Sequence, residues 1–276
     1  MDTSKLIVIG KYYEPVSREA IAEVEDELGM ALPSGYTDLI QAYGIGRYCN
    51  VFEINSLYEI YRDFMLKPTS WRDYYDTGGY DNEEIAASKQ IISPEALQES
   101  IAIAHSIDGD MVIYNPQTPH QIYVLPRHNY VVLKLSASMD DLHLWDADTP
   151  RPRVYLIPYE RHTIHSSSRR YTLTRDKWHD AVQSHWPGLA MLAEYDSYDE
   201  YYWNYVGYLP SLNAHIQIDY DEGVTRTYIE ENAVITLGGS GHRFLSVRIE
   251  CDQEDAPQFE AFLEFLETSG LVQWSG

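Results

Sequence analysis

The chain has 276 residues, and its 43 acidic side chains outnumber 20 basic ones to give a formal net charge of −23 at pH 7. This charge argues against direct binding to nucleic acid, because phosphate groups would be repelled at contact, and it favours a cationic partner. Solubility alone explains a negative charge equally well. The length exceeds that of one small domain, so we expect two domains.

Several features of the sequence indicate a soluble protein of the cytoplasm. The apolar stretch Leu6 to Ile9 is too short for the core of a signal peptide. No apolar run reaches the roughly 18 residues that a membrane-spanning helix needs. Cys49 and Cys251 lie far apart and stand in no metal-binding spacing, which fits a reducing compartment.

Two amphipathic helices are predicted near the amino terminus. Ser17 is a predicted N-cap, and apolar residues then recur at three- and four-residue steps until Gly29 ends the helix. After a turn at 32–35, the segment Tyr36 to Tyr43 repeats this spacing, and we expect Gly44 to cap it in the left-handed conformation. The pattern predicts a helical hairpin.

The next segment predicts a strand, a helix, a loop and a further helix. Alternation over Cys49 to Ile54 is typical of a strand, and apolar spacing predicts a helix over Ser56 to Phe64. The tyrosine-rich stretch from Trp71 to Glu84 follows neither period, and we interpret it as a loop. Ser93 then caps a predicted helix with Pro94 at its first position.

A meander of short antiparallel strands is predicted to complete the first half of the chain. The strands are Ile101 to His105, Met111 to Tyr114, Gln121 to Leu125 and Tyr130 to Leu135. Asp108 and Gly109 form a predicted turn between the first two strands. We expect Asp110 to cap this turn rather than to contact a partner.

The rest of the chain consists of a basic segment followed by an acidic segment. The segment 151–193 is rich in arginine and interrupted by serines, and we interpret it as a basic linker or helical segment. The segment 194–276 is strongly acidic, and alternating stretches followed by a helix from Pro257 predict a second, smaller α+β domain. The first domain is then expected at 1–150.

Three groups of motifs follow one another between residues 15 and 145. They are Leu32-Pro33 with Tyr36, Leu39-Ile40 and Tyr43-Gly44; Phe52-Glu53-Ile54; and Ile101 to Ala104 with Asp108-Gly109-Asp110, Gln121-Ile122-Tyr123 and Ser138 to Leu142. Their order resembles the SUKH superfamily, named for fungal cell-wall synthesis regulators and for many bacterial immunity proteins. The resemblance implies an α+β domain, in which a mostly antiparallel sheet is backed by helices, and a binding function without catalysis.

Patterns that indicate catalysis or metal binding are weak. The ten histidines occur in no HExxH frame. His105, Asp108 and Asp110 could form a carboxylate–imidazole cluster only if the fold gathered them, because alternation along a strand and turn scatters side chains. We therefore expect no enzyme activity, no cofactor and no bound metal. An enzymatic role stays an alternative for the second half, which resembles no family.

Two segments combine aromatic rings with carboxylates, a composition that suits a basic protein partner because carboxylates bind arginine through paired hydrogen bonds. The predicted partner-binding residues are Tyr74, Tyr75, Asp76, Asp81, Glu83, Glu84, Asp196, Asp199 and Glu200. Packing of the tyrosines in the protein interior is an equal alternative. The carboxylates are expected to face solvent in either case.

The sequence thus predicts a non-catalytic immunity protein that binds and neutralises a cognate toxin, with a cationic nuclease as the favoured target. Attraction between opposite charges would speed capture. The alternative is a regulatory scaffold of the cell-wall synthesis regulator type. Those fungal relatives carry disordered extensions, and the sequence shows no long low-complexity tail, which favours the immunity protein.

Overall fold

The structure, a computed structural model, describes residues 6–9, 13–49, 51–66, 69–76, 83–106, 108–127, 130–142, 155–158, 164–172, 188, 190–196, 202–209, 214–221, 226–230, 233–237, 244–252, 256–268 and 272–273. Backbone contacts divide the chain into two compact units. The first comprises Met1–Val8, Tyr13–Asp148 and Val154–Tyr159, and the second comprises Ile9–Tyr12, Thr149–Arg153 and Glu160–Gly276.

The first unit contains six described helices, two of which begin at serine N-caps. They are α1 (Arg18–Leu28), α2 (Ser34–Tyr43), α3 (Leu57–Leu66), α4 (Thr69–Arg72), α5 (Glu83–Ile91) and α6 (Pro94–Gln98). The Ser17 hydroxyl accepts a hydrogen bond from the Ala20 N–H at 3.1 Å, and Ser93 does the same for Ala96 at 3.2 Å. Gly29 ends α1 in the left-handed conformation. The predicted caps of α1 and α6 are therefore confirmed.

The first unit is built on an eight-stranded mixed sheet. Its strands are β1 (Ile7–Val8), β2 (Gly46–Tyr48), β3 (Phe52–Ile54), β4 (Ile101–Ser106), β5 (Met111–Tyr114), β6 (Gln121–Leu125), β7 (Leu133–Ser136) and β8 (Tyr155–Pro158). The order across the sheet is β1-β8-β2-β3-β4-β5-β6-β7, with β1 and β8 parallel and the other pairs antiparallel. The predicted meander is confirmed as β4 to β7, within an α+β unit whose sheet is backed by helices.

Local structure differs from the sequence prediction around Cys49. The predicted strand over 49–54 is a hairpin of β2 and β3, and Cys49 lies in its turn with φ 52°. The Val51 N–H donates to the Tyr48 carbonyl at 3.1 Å and closes the turn. Cys49 is buried although it lies in the turn. The alternation of apolar and polar residues therefore continues through the turn, and for this reason the sequence predicted one unbroken strand. The predicted loop over 71–84 likewise overlaps the end of α4 and the start of α5.

Two glycines, Gly35 in α2 and Gly44 at the C-cap of this helix, allow other backbone segments to approach closely. A Cβ on Gly35 would lie 2.2 Å from the Ser138 carbonyl oxygen, and a Cβ on Gly44 would lie 2.3 Å from that of Glu14. Gly44 has φ 76° and ψ −160°. The predicted left-handed cap is therefore wrong at Gly44, because this ψ lies in a region open to glycine rather than in the left-handed helical one.

The described part of the second unit is mainly antiparallel sheet. Its elements are β9 (Ile164–Thr172), β10 (Ala190–Asp196), β11 (Tyr202–Leu209), β12 (Ala214–Asp221), β13 (Arg226–Glu230), β14 (Ala233–Leu237), β15 (Phe244–Asp252), helix α7 (Ala256–Thr268) and β16 (Val272–Gln273). Six strands form a sheet in the order β10-β11-β12-β15-β9-β16, and β13 pairs with β14. None of the helices in the described residues has the length and apolar character needed to cross a membrane.

Apart from Gly188, the described residues of the segment 151–193 lie in strands. β8 lies between β1 and β2, and β9 lies between β15 and β16. Backbone groups make the hydrogen bonds of a sheet, so a serine- and arginine-rich segment such as β9 can pair on both sides without an apolar alternation. The predicted domain limits at 150 and 194 stay a prediction.

Candidate partner-binding site

The turn between β4 and β5 is held by a buried carboxylate. Asp110 accepts hydrogen bonds from the Ser106 hydroxyl at 2.7 Å and from the backbone N–H of Arg127 at 2.8 Å. The Arg127 guanidinium donates to the Asp108 carbonyl at 3.0 Å, so its side chain crosses Gly109, which has φ 92°. The predicted capping role of Asp110 is confirmed.

Tyrosine rings gather after α4 and pack against the interior of the first unit. The ring centroid of Tyr74 lies 5.2 Å from that of Tyr75 and 5.5 Å from that of Tyr130. The Tyr75 hydroxyl donates to the Ile92 carbonyl at 3.0 Å. Tyr74 and Tyr75 are half-buried against a core that includes Trp71, so much of their surface serves packing.

The rings of Tyr74 and Tyr130 and the β4–β5 turn line a cleft that is open to solvent and encloses about 430 Å³. The lining combines apolar, aromatic and charged side chains, among them Trp71, Leu125, Tyr74, Tyr130, Asp73 and Arg127. Asp73 and Arg127 are exposed, whereas Trp71 and Leu125 are buried. A concave apolar surface with a few convergent polar groups is the usual form of a binding site.

Trp71 and Arg72 form a buried pair beside the cleft. The Trp71 indole Nε1–H has no hydrogen-bond partner among the described residues, and the Arg72 guanidinium lies 4.1 Å from the centre of the indole ring. Arg72 also donates to the Ser100 carbonyl at 3.1 Å. Burial lowers the pKa of Arg72, an effect that the carboxylates of Asp63 and Glu99 oppose. The pair places a cation–aromatic contact in the interior of the unit.

Burial also raises the pKa of the tyrosines in the cleft region. It raises the pKa of Tyr75 to about 12. The pKa of Tyr74 is raised first by burial and then by Tyr75, Tyr130, Asp110 and Glu84, groups that are negative when ionised. The hydroxyls of Tyr74 and Tyr75 therefore stay protonated at neutral pH. Two carboxylates, those of Asp110 and Glu84, lie near Tyr74.

The predicted partner-binding residues fall into three groups. Asp76, Glu83 and Glu84 are exposed, and Tyr74 and Tyr75 are half-buried. Asp196 is the last residue of β10, and the structure describes its backbone but not its side chain. Asp81, Asp199 and Glu200 lie outside the described residues. A binding role for these residues stays a prediction. Sequence reasoning missed Arg127 and Tyr130, which lie more than fifty positions from Tyr74 in sequence and reach the cleft only through the pairing of strands.

His105 lies across the β3–β4 pair from Glu53. Its Nε2 is 3.4 Å from a Glu53 carboxylate oxygen, and its Nδ1 is 2.9 Å from the Asn55 side-chain oxygen. Asp110 is engaged elsewhere, with Ser106 and the Arg127 backbone, so the structure does not assemble the cluster considered from the sequence. Throughout the described ranges, no three or more histidine, cysteine or acidic side chains are placed to hold a metal ion.

The first unit is thus an α+β domain with a mixed sheet backed by helices and an aromatic cleft open to solvent. Residues 15–145 match the model of the SMI1 / KNR4 family (SUKH-1), so this segment of the chain is similar to that family. The match covers the span predicted from the order of motifs and is consistent with an immunity or a regulatory protein. Neither the comparison with curated proteins nor that with solved structures finds a match.

Proposed function

We propose that this chain is a non-catalytic immunity protein that binds and neutralises a cognate protein toxin, with a basic nuclease as its target. The family match over residues 15–145 is the observation that carries the proposal. The net charge of −23 supports a cationic partner. The exposed carboxylates of Asp76, Glu83 and Glu84 provide acceptors for arginine and lysine side chains.

Inhibition would follow from occupation of the toxin. A nuclease binds phosphate through basic side chains, and an acidic surface that covers those side chains competes with the substrate for the same contacts. Long-range attraction brings the two proteins together quickly, which matters because uninhibited toxin is lethal. No covalent step is needed for this function.

The regulatory scaffold is the second candidate, because the family that matches residues 15–145 is described as SMI1 / KNR4. It differs from the first in its partner, which would be a cellular signalling or biosynthetic protein rather than a toxin. The two functions therefore make different predictions for a cell challenged with the toxin.

The test expresses the full chain together with a basic toxin encoded next to its gene. We expect growth to be rescued, the two proteins to co-purify, and the association rate to fall as NaCl is raised. Failure of both rescue and co-purification over the whole range of salt would contradict the immunity function. A chain that leaves the toxin active but co-purifies with cellular proteins would favour the scaffold.

A pair of triple variants tests the predicted carboxylates on the first unit. The test variant carries Asp76→Asn, Glu83→Gln and Glu84→Gln, and the matched control carries Glu19→Gln, Glu23→Gln and Asp26→Asn on the exposed side of α1. Both remove the same charge. We expect toxin affinity to fall about tenfold or more in the test variant and less than about threefold in the control. Equal losses would show that net charge, rather than these residues, determines binding.

A further inference from the structure

The cleft of the first unit has features that suit one particular kind of side chain. The rings of Tyr74 and Tyr130, whose centroids are 5.5 Å apart, line the cleft together with the buried Trp71 and Leu125. Tyrosine and tryptophan offer a large, stiff surface, and such residues dominate the energetic centres of protein interfaces. The volume of about 430 Å³ is large enough for a long side chain and part of its backbone.

The charges around the cleft favour a cation beside Asp73 and Tyr74. Asp73 lines the cleft and is exposed. Asp110 and Glu84 lie close enough to Tyr74 to raise the pKa of its hydroxyl. The cation in the lining, Arg127, is held over Gly109 by its hydrogen bond to the Asp108 carbonyl. A bound cation can therefore contact Asp73 while Arg127 stays at the β4–β5 turn.

Arginine fits this arrangement better than lysine. Its planar guanidinium stacks on aromatic rings and forms paired hydrogen bonds with a carboxylate, whereas the lysine ammonium is compact and strongly hydrated. The chain already contains one such contact next to the cleft, where the Arg72 guanidinium lies 4.1 Å from the centre of the Trp71 ring. Apolar surface for the methylene groups of an arginine is supplied by the buried lining.

We propose that this cleft binds an arginine side chain of a basic protein partner, with Tyr74 and Tyr130 against the guanidinium and Asp73 as its hydrogen-bonding carboxylate. The proposal rests on the proposed function and adds the position of the anchor. It makes the cleft the energetic centre of the interface. The surrounding carboxylates then act mainly on the association rate.

The test measures binding of fluorescent hexa-arginine to the full chain, with hexa-lysine and hexa-glutamate as comparison peptides. We expect hexa-arginine to bind about tenfold more tightly than hexa-lysine. Asp73→Asn should weaken hexa-arginine binding about tenfold, whereas Glu23→Gln, which removes the same charge from an exposed site on α1, should weaken it less than twofold. Tyr130→Leu should also weaken it, and Asp73→Asn, at an exposed position, remains informative if the tyrosine variant does not fold.

Equal effects of Asp73→Asn and Glu23→Gln would overturn the proposal, because the peptide would then respond to net charge alone. Tight binding of hexa-glutamate that is lost in Arg127→Ala would also overturn it and would make the cleft an anion site. These outcomes leave the immunity function to its own test with the toxin. Conversely, hexa-arginine binding that depends on Asp73, combined with neither rescue from the toxin nor co-purification with it, would support the cleft and contradict the immunity function.

Discussion

Gly35 shows how one small residue permits a long-range backbone contact. Its N–H donates to the Ala137 carbonyl at 3.0 Å, and the Ser138 carbonyl lies where a Cβ would be. The chain then turns through Met139, which is buried and has φ 61°. The start of α2 and the segment after β7 can meet this closely only because Gly35 has no side chain. The sequence motif around Leu32-Pro33 contains this glycine but does not indicate what approaches it.

Substitution of Gly35 by alanine should therefore be costly. We expect Gly35→Ala to lower the free energy of unfolding by about 2 to 3 kcal/mol, because the neighbouring atoms belong to backbone that cannot rotate away. Gly29→Ala is the matched control, since a Cβ there meets nothing within 4 Å and only the positive φ opposes it. Its expected cost is about 1 kcal/mol. Urea unfolding followed by tryptophan fluorescence measures both, and equal losses would contradict the steric explanation.

At the scale of elements, side-chain hydrogen bonds join the segment after α4 to the end of α5, and α5 to the segment before β7. The Tyr75 hydroxyl, just after α4, donates to the Ile92 carbonyl at the end of α5. Ser88 in α5 accepts from the Val132 N–H at 3.0 Å and donates to the Tyr130 carbonyl. These bonds hold the segment that carries the cleft tyrosines. Helical spacing alone does not reveal them, because each joins residues that are distant in sequence.

The contribution of Tyr75 should depend on pH. Tyr75→Phe removes the hydrogen bond to Ile92 and should lower the free energy of unfolding by about 1 kcal/mol near pH 8. The pKa of Tyr75 in the folded chain is about 12 and lies above the value near 10 of an unfolded tyrosine. Its stabilising contribution is therefore complete below about pH 10 and is lost as the pH rises towards 12. The stability difference between the two proteins should shrink on that rise.

Urea unfolding at a series of pH values between about 8 and 11 measures this difference. Tyr58→Phe controls for the loss of a phenol at an exposed position, since 70% of Tyr58 is accessible to solvent. A difference between wild type and Tyr75→Phe that stays constant across the series would contradict the raised pKa of Tyr75.

For the whole molecule, a net charge of −23 should destabilise the folded state through repulsion among its own carboxylates. Raising NaCl from about 0.01 M to about 0.15 M shortens the Debye length from roughly 30 to 8 Å and screens this repulsion. We expect the thermal unfolding midpoint to rise by a few degrees. Choline chloride at the same ionic strength should have the same effect, because screening does not depend on the cation. A midpoint that falls or stays unchanged would contradict the expectation.

Much of the first unit could be predicted from sequence because its signals are local. The cap residues Ser17 and Ser93 are positioned by the helices that they begin. The strands β4, β5 and β6 are separated by short turns, so the meander follows from their order. The motifs that predicted the span of the family match are likewise local, because each is only a few residues long.

Tertiary structure alone decided the features that join distant residues. β8 lies between β1 and β2 in the sheet, although it is far from both in sequence. Cys49 lies in a turn, where alternation predicted a strand. The cleft likewise draws on residues near 71, 109 and 127, and nothing in their separate patterns indicates that they meet. The physical reason is that helix caps and hydrophobic periodicity depend on interactions between residues a few positions apart. Strand pairing depends instead on backbone groups that nearly every residue carries, so the sequence does not specify which strands pair. The sequence by itself therefore determined the charge, the family that the first unit resembles and most of its helices, while the folded chain decided the sheet order and the site.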